Sequence, residues 1–237
     1  LPAIFTGLNL PGLLVKHWGQ KPNAAVQAVL AEGSMFTEVA RAGLSARLAN
    51  AYPPGYFAAI ESGKRMYSAI PMAVTSAGIA LHTADDLRAG RAFSADFTGA
   101  GWREHLGIAD APLHSLPEAG RRLAECAQHH ALYFFEHWPT DYTGHRGTLP
   151  EAVMLLERLD GVIGGLLDAW DDKNGLFILT SDHGNMEDMG TRKHTHNPVP
   201  TIVVGPEHAA RAAHIHTLAD IAPVILEFLG LDSSGEL

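Results

Sequence analysis

The sequence predicts an α/β protein: a mostly parallel central sheet with helices on both faces and a small cap over one end. Three observations predict it. Short apolar runs at 132–138, 176–180 and 201–204 read as buried strands by length and composition. Helical patterns at 117–128, 151–170 and 217–229 alternate with those runs. Strands that alternate with helices are joined by crossovers, which favours parallel pairing with both faces covered.

Taken in order, Leu1 to Thr6 reads as the remainder of a helix, stopped by Gly7. Ser34 caps a short helix through Met35, Phe36, Val39 and Ala40, and Gly43 ends it. Residues 44–50, from Leu44 through Ala49, alternate like a strand. Residues 50–116 hold Pro53-Pro54, short apolar patches and scattered glycine; they read as loops and short helices, with 53–116 as the small cap. Pro117 to Gln128 is a helix pattern. Leu132 to His137 is a strand rich in aromatics. Leu155, Leu159, Val162, Leu166 and Trp170 recur at a helical period. The strand 176–180 follows, then 201–204, closed by Gly205 and Pro206. Thr217 with Asp220 forms a capping-box pattern. It opens a last helix through Ile221, Val224, Ile225 and Phe228, with Gly230 as its stop. The whole reads as one domain, 1–237, without internal repeats.

Composition narrows the function. Of 237 residues, 46% are hydrophobic and 18% charged, enough for a full core and too apolar for wholesale disorder. Seventeen basic against 26 acidic residues leave a net charge of −9, which argues against a nucleic-acid partner. No apolar run approaches the roughly 20 residues of a membrane span, so no membrane partner is expected. A single cysteine, Cys126, excludes an intrachain disulfide and a cysteine-based zinc site; on the apolar side of its helix it reads as core. The chain opens Leu-Pro-Ala without Met, basic segment or long apolar stretch. It reads as entered in the middle, N-terminally incomplete, and the expected location is cytoplasmic.

The 14 histidines carry the chemical signal. In an open α/β sheet, ligands bind beyond the carboxyl ends of the strands. After strand 132–138 come Asp141 and His145, four apart in a loop, where both can meet one ion; after 176–180 come Asp182 and His183; before 201–204 comes His194. Carboxylate with imidazole suits zinc, manganese or iron-type ions. Adjacent Asp182 and His183 point in different directions and can serve two ions, or one ion and the groups that orient its ligands, while Gly144 and Gly184 let backbone pass close. Each cluster alone has an ordinary reading. Asp-x-x-x-His arises by chance, Asp-His-Gly can be a turn, and His194 and His196 can be exposed loop residues. Convergence of the three at one sheet edge favours a metal site. Two ions would suit phosphoryl transfer by clamping the attacking and leaving oxygens.

These residues resemble the alkaline phosphatase superfamily, in particular its branch of cofactor-independent phosphoglycerate mutases and related metalloenzymes. The resemblance rests on Thr180-Ser-Asp-His-Gly-Asn185, on His194-Thr-His-Asn-Pro-Val-Pro200, on Asp141-x-x-Gly-His145, and more weakly on Leu218-Ala-Asp-Ile-Ala-Pro223. It covers about 130–232 well and 1–50 loosely. It implies an alkaline phosphatase-like sheet, with Asp141, His145 and His194 holding one divalent ion and Asp182 and His183 the other. Zinc or manganese is expected, with magnesium also suitable. The family's second site takes a further Asp and a Ser or Thr nucleophile, both expected before Leu1. Thr6, at a helix end, is expected to be structural. His196 is expected in the second shell or in solvent, and Arg192 and Lys193 in a solvated loop. Glu136 and His137 are left open, since strand neighbours face opposite ways. Only about 130 residues separate Gly7 from Asp141. The mutase's large inserted domain is therefore missing or much reduced, and a smaller phosphatase, phosphodiesterase or other transferase is expected. The substrate is a small phosphorylated molecule, and the chain as it stands is expected to be inactive. The alternative is a non-catalytic metal-binding or assembly domain that retains the ligands. A metallopeptidase is disfavoured, as no His-Glu-x-x-His occurs.

Overall fold

A computed structural model describes residues 1–9 and 22–231. Its first half forms around large apolar side chains. The helices α1 (Pro2–Thr6), α2 (Ala24–Glu32) and α3 (Met35–Arg41) are too short to persist in water by their own hydrogen bonds. Asn23 and Ser34 cap α2 and α3 by accepting from Val26 and Thr37. α1 closes on Gly7 at φ 69°, a left-handed conformation glycine adopts without strain. Burial then holds all three: Phe5, Leu30 and Phe36 are fully buried. Phe5 and Phe36 meet Phe134 edge-on, with ring centres 5.3 and 6.0 Å apart.

Phe134 belongs to β2 (Leu132–Phe134), which pairs in parallel with β1 (Ala46–Leu48). Parallel pairing continues past β1 as single bridges from Asn50 to Phe93 and from Ala51 to His82. The intervening chain forms α4 (Pro54–Glu61), α5 (Ala69–Ser76), α6 (Ala84–Arg88) and α7 (Ala100–Leu106). Ala69, Ile70, Ala73 and Val74 of α5 lie in the main core, while Leu87, Ala92, Trp102 and Ala111 enclose a smaller one.

In the second half, α8 (Leu116–Ala127) crosses α10 (Leu149–Ala169) at close quarters. A methyl group at Gly120 or Gly165 would overlap the backbone of Val162 or Pro117. Between β2 and α10 runs α9 (Pro139–Arg146). β3 (Phe177–Thr180) then pairs antiparallel with β4 (Thr201–Val204), Thr180 opposite Thr201. α11 (His208–Ala213) and α12 (Ile221–Phe228) complete the described chain. The reciprocal Thr217–Asp220 cap forms as the sequence predicts, opening a single 3₁₀ turn before α12.

The α/β class holds, but the sequence expectation of one mostly parallel sheet does not describe this structure. Among the described residues the four strands form two separate pairs, and the second is antiparallel. A parallel partner needs a crossover of a dozen or more residues, usually a helix. Residues 181–200 supply only one 3₁₀ turn (Met186–Asp188) and fold straight back. This reversal matters for the site. It sets the end of β3 and the start of β4 at one edge, whereas a parallel β4 would begin at the opposite end. The stretch 139–146, read from sequence as a loop, is the helix α9. Pro139 suits its first turn, where a backbone N–H has no intrahelical partner. α2 and α11 were not anticipated; both are alanine-rich, the strongest helix-forming composition.

Candidate metal centre

On α9 the helical period places Asp141 and His145, four residues apart, on one face. His145 Nε2 lies 3.4 Å from Asp141 Oδ1. The other ring nitrogen, Nδ1, lies 2.9 Å from the Arg192 carbonyl and so carries the proton. In the neutral ring this turns the Nε2 lone pair toward the Asp141 carboxylate, the arrangement a shared cation would need. The fold-back between β3 and β4 delivers the third group. His194 Nε2 stands 3.1 Å from Asp141 Oδ1 and 3.1 Å from His145 Nε2. Three donors about 2 Å from one zinc-sized ion would stand about 3.3 Å apart, so the observed triangle fits a cation.

Asp182 and His183 lie beside this triangle. His183 Nε2 is 3.4 Å from Asp182 Oδ1 and 3.7 Å from Asp141 Oδ1. Its ring stacks on His194 at 3.6 Å. Asp182 Oδ2 in turn lies 3.6 Å from the Leu1 backbone nitrogen.

Polar cross-links hold the loop in this shape. Thr195 donates its N–H to the Gly184 carbonyl at 2.9 Å. Glu187 accepts from the Asn185 N–H at 2.6 Å, from Asn197 Nδ2 at 3.1 Å and from the Thr195 hydroxyl. These donors, Thr195 first, hold the Glu187 carboxyl well below its ordinary range. Buried Asn185 donates Nδ2 to the Asp141 carbonyl and to Asp141 Oδ1, at 3.2 and 3.0 Å. A side chain at Gly144 would overlap the Asn185 carboxamide, and one at Gly184 would overlap Thr195 and Glu187. Arg192 pins the loop to the end of α9 by donating to the Gly147 carbonyl at 2.8 Å.

The pair that the sequence left open lies just past β2. Phe135 and His137 share one face, each stacked on Phe97 at 4.7 Å. His137 Nδ1 donates to the Ala95 carbonyl at 2.8 Å, and burial lowers the ring's affinity for a second proton. Glu136, between them, is half-buried. Burial first, then the Asp182 carboxylate, push its carboxyl up to about 7. Asn50 clamps its backbone, accepting from the Glu136 N–H at 2.8 Å and donating to the Glu136 carbonyl at 2.9 Å.

The remaining candidates are placed as follows. Thr6 is buried, and its hydroxyl donates to the Pro2 carbonyl at 3.0 Å and accepts from the Leu8 N–H at 3.2 Å. His196 and Lys193 are exposed on the loop. Cys126 is half-buried against the second core, its Sγ 3.7 Å from the Gly90 carbonyl. Sequence reading missed the positioning work of Asn185, Glu187, Thr195 and Asn50. Asn185 at least stood inside a quoted motif; Asn50 offered no signal. The triad opens onto a cleft lined by Trp138, Asp141, Tyr142, His145 and Arg146.

An α/β chain that gathers carboxylate and imidazole where its strand-end loops meet has the makings of an alkaline phosphatase-like metal protein. A family model described as the Metalloenzyme superfamily matches residues 107–233, more than half of the chain, and the chain belongs to that superfamily. It is also similar to proteins named 2,3-bisphosphoglycerate-independent phosphoglycerate mutase. The one from Syntrophotalea carbinolica is 38% identical over 98 residues, covering 39% of this chain and 19% of that protein. The one from Thermomicrobium roseum is 37% identical over 122 residues, covering 47% and 23%. The one from Paracoccus denitrificans is 35% identical over 135 residues, covering 54% and 26%. The chain thus matches about a fifth to a quarter of the length of these curated relatives. Among the described residues, no helix is long and apolar enough to cross a membrane.

Proposed function

We propose that this chain is the metal-binding part of a phosphoryl-transfer enzyme acting on a small phosphorylated substrate. One observation carries the reading: Asp141, His145 and His194, from a helix and a loop some fifty residues apart in sequence, present ligand atoms within 4.8 Å of one another. In this reading the triad holds one divalent ion, zinc or manganese, with magnesium also suitable, and Asp182 and His183 belong to a second. Bound ions would supply charge stabilisation to the phosphoryl oxygens. The chain's own residues do the rest. The Arg192 carbonyl fixes the His145 tautomer, Asn185 orients the Asp141 carboxylate, and Glu187 keeps the His183–His194 loop closed.

The reading assigns the nucleophile to a Ser or Thr hydroxyl on residues preceding Leu1. In its support, the Leu1 nitrogen lies 3.6 Å from Asp182, so a residue joined to it would sit at the second site. The 237-residue chain alone is then expected to bind ions without turnover. The reading further takes residues 1–237 as one domain with 53–116 as a reduced cap, and a cytoplasmic setting.

The test pairs ion titration with a screen of phosphate mono- and diesters, using a chain extended upstream. His194→Ala and Asp141→Asn should abolish both ion binding and turnover, whereas His196→Ala should leave both intact. Turnover that survives chelation would defeat the reading. Ion binding without turnover on any ester would favour a non-catalytic metal-binding domain.

A further inference from the structure

The helix α9 carries two rows of side chains toward the metal centre. Asp141 and His145 form the row that meets His194. Trp138, Tyr142 and Arg146, again four apart, form the row beside it. Both rows line the cleft onto which the triad opens, a space of about 350 Å³. That volume suits a small ligand. The first row holds groups for an ion. The second row supplies a different chemistry.

Trp138 is 51% exposed and Tyr142 56% exposed. Two large rings side by side at the mouth of a cleft keep apolar area in water, which marks a surface that a ligand covers. An ion and a phosphate do not cover it. Arg146 lies over the Tyr142 ring, its guanidinium carbon 5.7 Å from the ring centre. That contact steadies the ring and leaves the guanidinium fork for an anion. Arg192 adds a second guanidinium at the end of α9, donating to the Gly147 carbonyl at 2.8 Å. A chain of net charge −9 thus sets two cations beside the triad. Between Trp138 and Arg146 a helix advances about 12 Å, so rings and cations are within reach of one small molecule anchored at the triad. A phosphorylated polyol or small acid would leave both rings bare. A planar ring gains stacking beyond the area it buries.

We propose that the substrate of this centre is a phosphate ester whose other half is a planar aromatic ring, a nucleotide or an aryl phosphate. The ring stacks on Trp138 and Tyr142, and Arg146 meets the anionic end. The inference rests on the phosphoryl-transfer reading above and deepens it by naming the substrate class. It also separates two properties. Trp138 and Tyr142 select the ring, whereas the triad holds phosphate through its ion, so choice among esters and affinity for phosphate itself vary independently.

The experiment is calorimetric titration of the upstream-extended chain loaded with Mn²⁺. The probes are inorganic phosphate, glycerol 3-phosphate, phenyl phosphate and adenosine 5′-monophosphate, and unfolding temperature is measured for each variant. Wild type should bind the two ring-bearing esters about tenfold more tightly than glycerol 3-phosphate, the worth of one stacked ring. Trp138→Ala should erase most of that preference and leave inorganic phosphate and glycerol 3-phosphate within about twofold of wild type, because only the stacked ring is lost. Trp138→Phe should keep most of the preference. Unfolding temperatures should match wild type, since the side chain is exposed. That pattern supports the proposal; tighter binding of the adenosine ester than of phenyl phosphate makes the ring a nucleobase, and the reverse makes it an aryl group. Wild type without preference for ring-bearing esters overturns it. So does a Trp138→Ala chain that weakens on all four probes alike or unfolds below wild type, which would make the row a packing surface. Inorganic phosphate bound by wild type and lost in Asp141→Asn, with no ring preference, overturns this inference and leaves the phosphoryl-transfer reading standing. A wild-type chain that binds none of the four defeats both.

Discussion

The two strand pairs are similar in size and opposite in how they are held. In β1–β2, Ala46, Leu48 and Leu132 are buried, and Phe5, Phe36 and Phe134 close over them. In β3–β4 no residue is buried, and Ile202 is 49% exposed. Its ties are polar: the Thr180 and Thr201 hydroxyls meet at 2.9 Å, and beyond them the Glu187 and Asn185 contacts close the loop. The difference teaches where stability and chemistry reside. Apolar burial anchors the β1–β2 side, while the side that carries the candidate ligand loop stays open to solvent. Regions with little buried apolar surface unfold locally at lower cost.

The sharpest way to break this comparison is to truncate one residue on each side. Phe36→Ala should lose about 3–5 kcal/mol through lost burial and a cavity, and Ile202→Ala less than about 1 kcal/mol, as for an exposed position. Urea unfolding of both variants checks it; equal losses would end the distinction. Metal should then act on one side only. At a hundredfold excess over its dissociation constant, an ion adds about 2.7 kcal/mol. Hydrogen exchange should slow at residues 181–200 and 141–146 when Zn²⁺ is added, and remain unchanged at β1 and β2. Slowing throughout would mean that the two sides open together.

A smaller effect sharpens the loop's part. Gly144→Ala forces a methyl against Asn185 and should cost about 1–3 kcal/mol, as overpacking does. It should also weaken ion binding by moving Asp141, which calorimetric titration would read. The smallest effect is a pH dependence on the buried side. Burial lowers the pKa of His137, and also those of His82 and His130. The folded state therefore resists a proton that the unfolded chain accepts near pH 6.5. Stability is complete above about 6.5 and is lost as pH falls through that value toward the lower folded pKa. Unfolding temperatures without metal should fall between pH 7 and 5.5, and His137→Phe should fall less. An equal fall in His137→Phe would exclude His137 as a source.

Much of the molecule was legible because its signals are local. Gly7 ends α1, Ser34 caps α3, and Thr217 with Asp220 opens the last helical turn within a few residues of their expected places. The candidate ligands at 141, 145, 182, 183 and 194 were legible for the same reason: carboxylate and imidazole side chains are recognisable one residue at a time. What was misread was non-local. Asp141 and His145 were assigned to a loop, since the eight residues of α9 carry Pro139 and Gly144 and show little apolar period.

The sequence by itself thus determined many of the elements, the ligand-capable residues and the family they resemble, because each depends on a few adjacent side chains. Tertiary structure alone decided three things. It turned β4 antiparallel, so that His194 returns to the edge where β3 leaves Asp182 and His183. It brought Asn185 across to Asp141 through the space that a bare Gly144 leaves. It laid His137 against Phe97, with its Nδ1 on the Ala95 carbonyl. Each outcome couples residues tens of positions apart, and such coupling is set by which surfaces can be buried together rather than by any local preference of the chain.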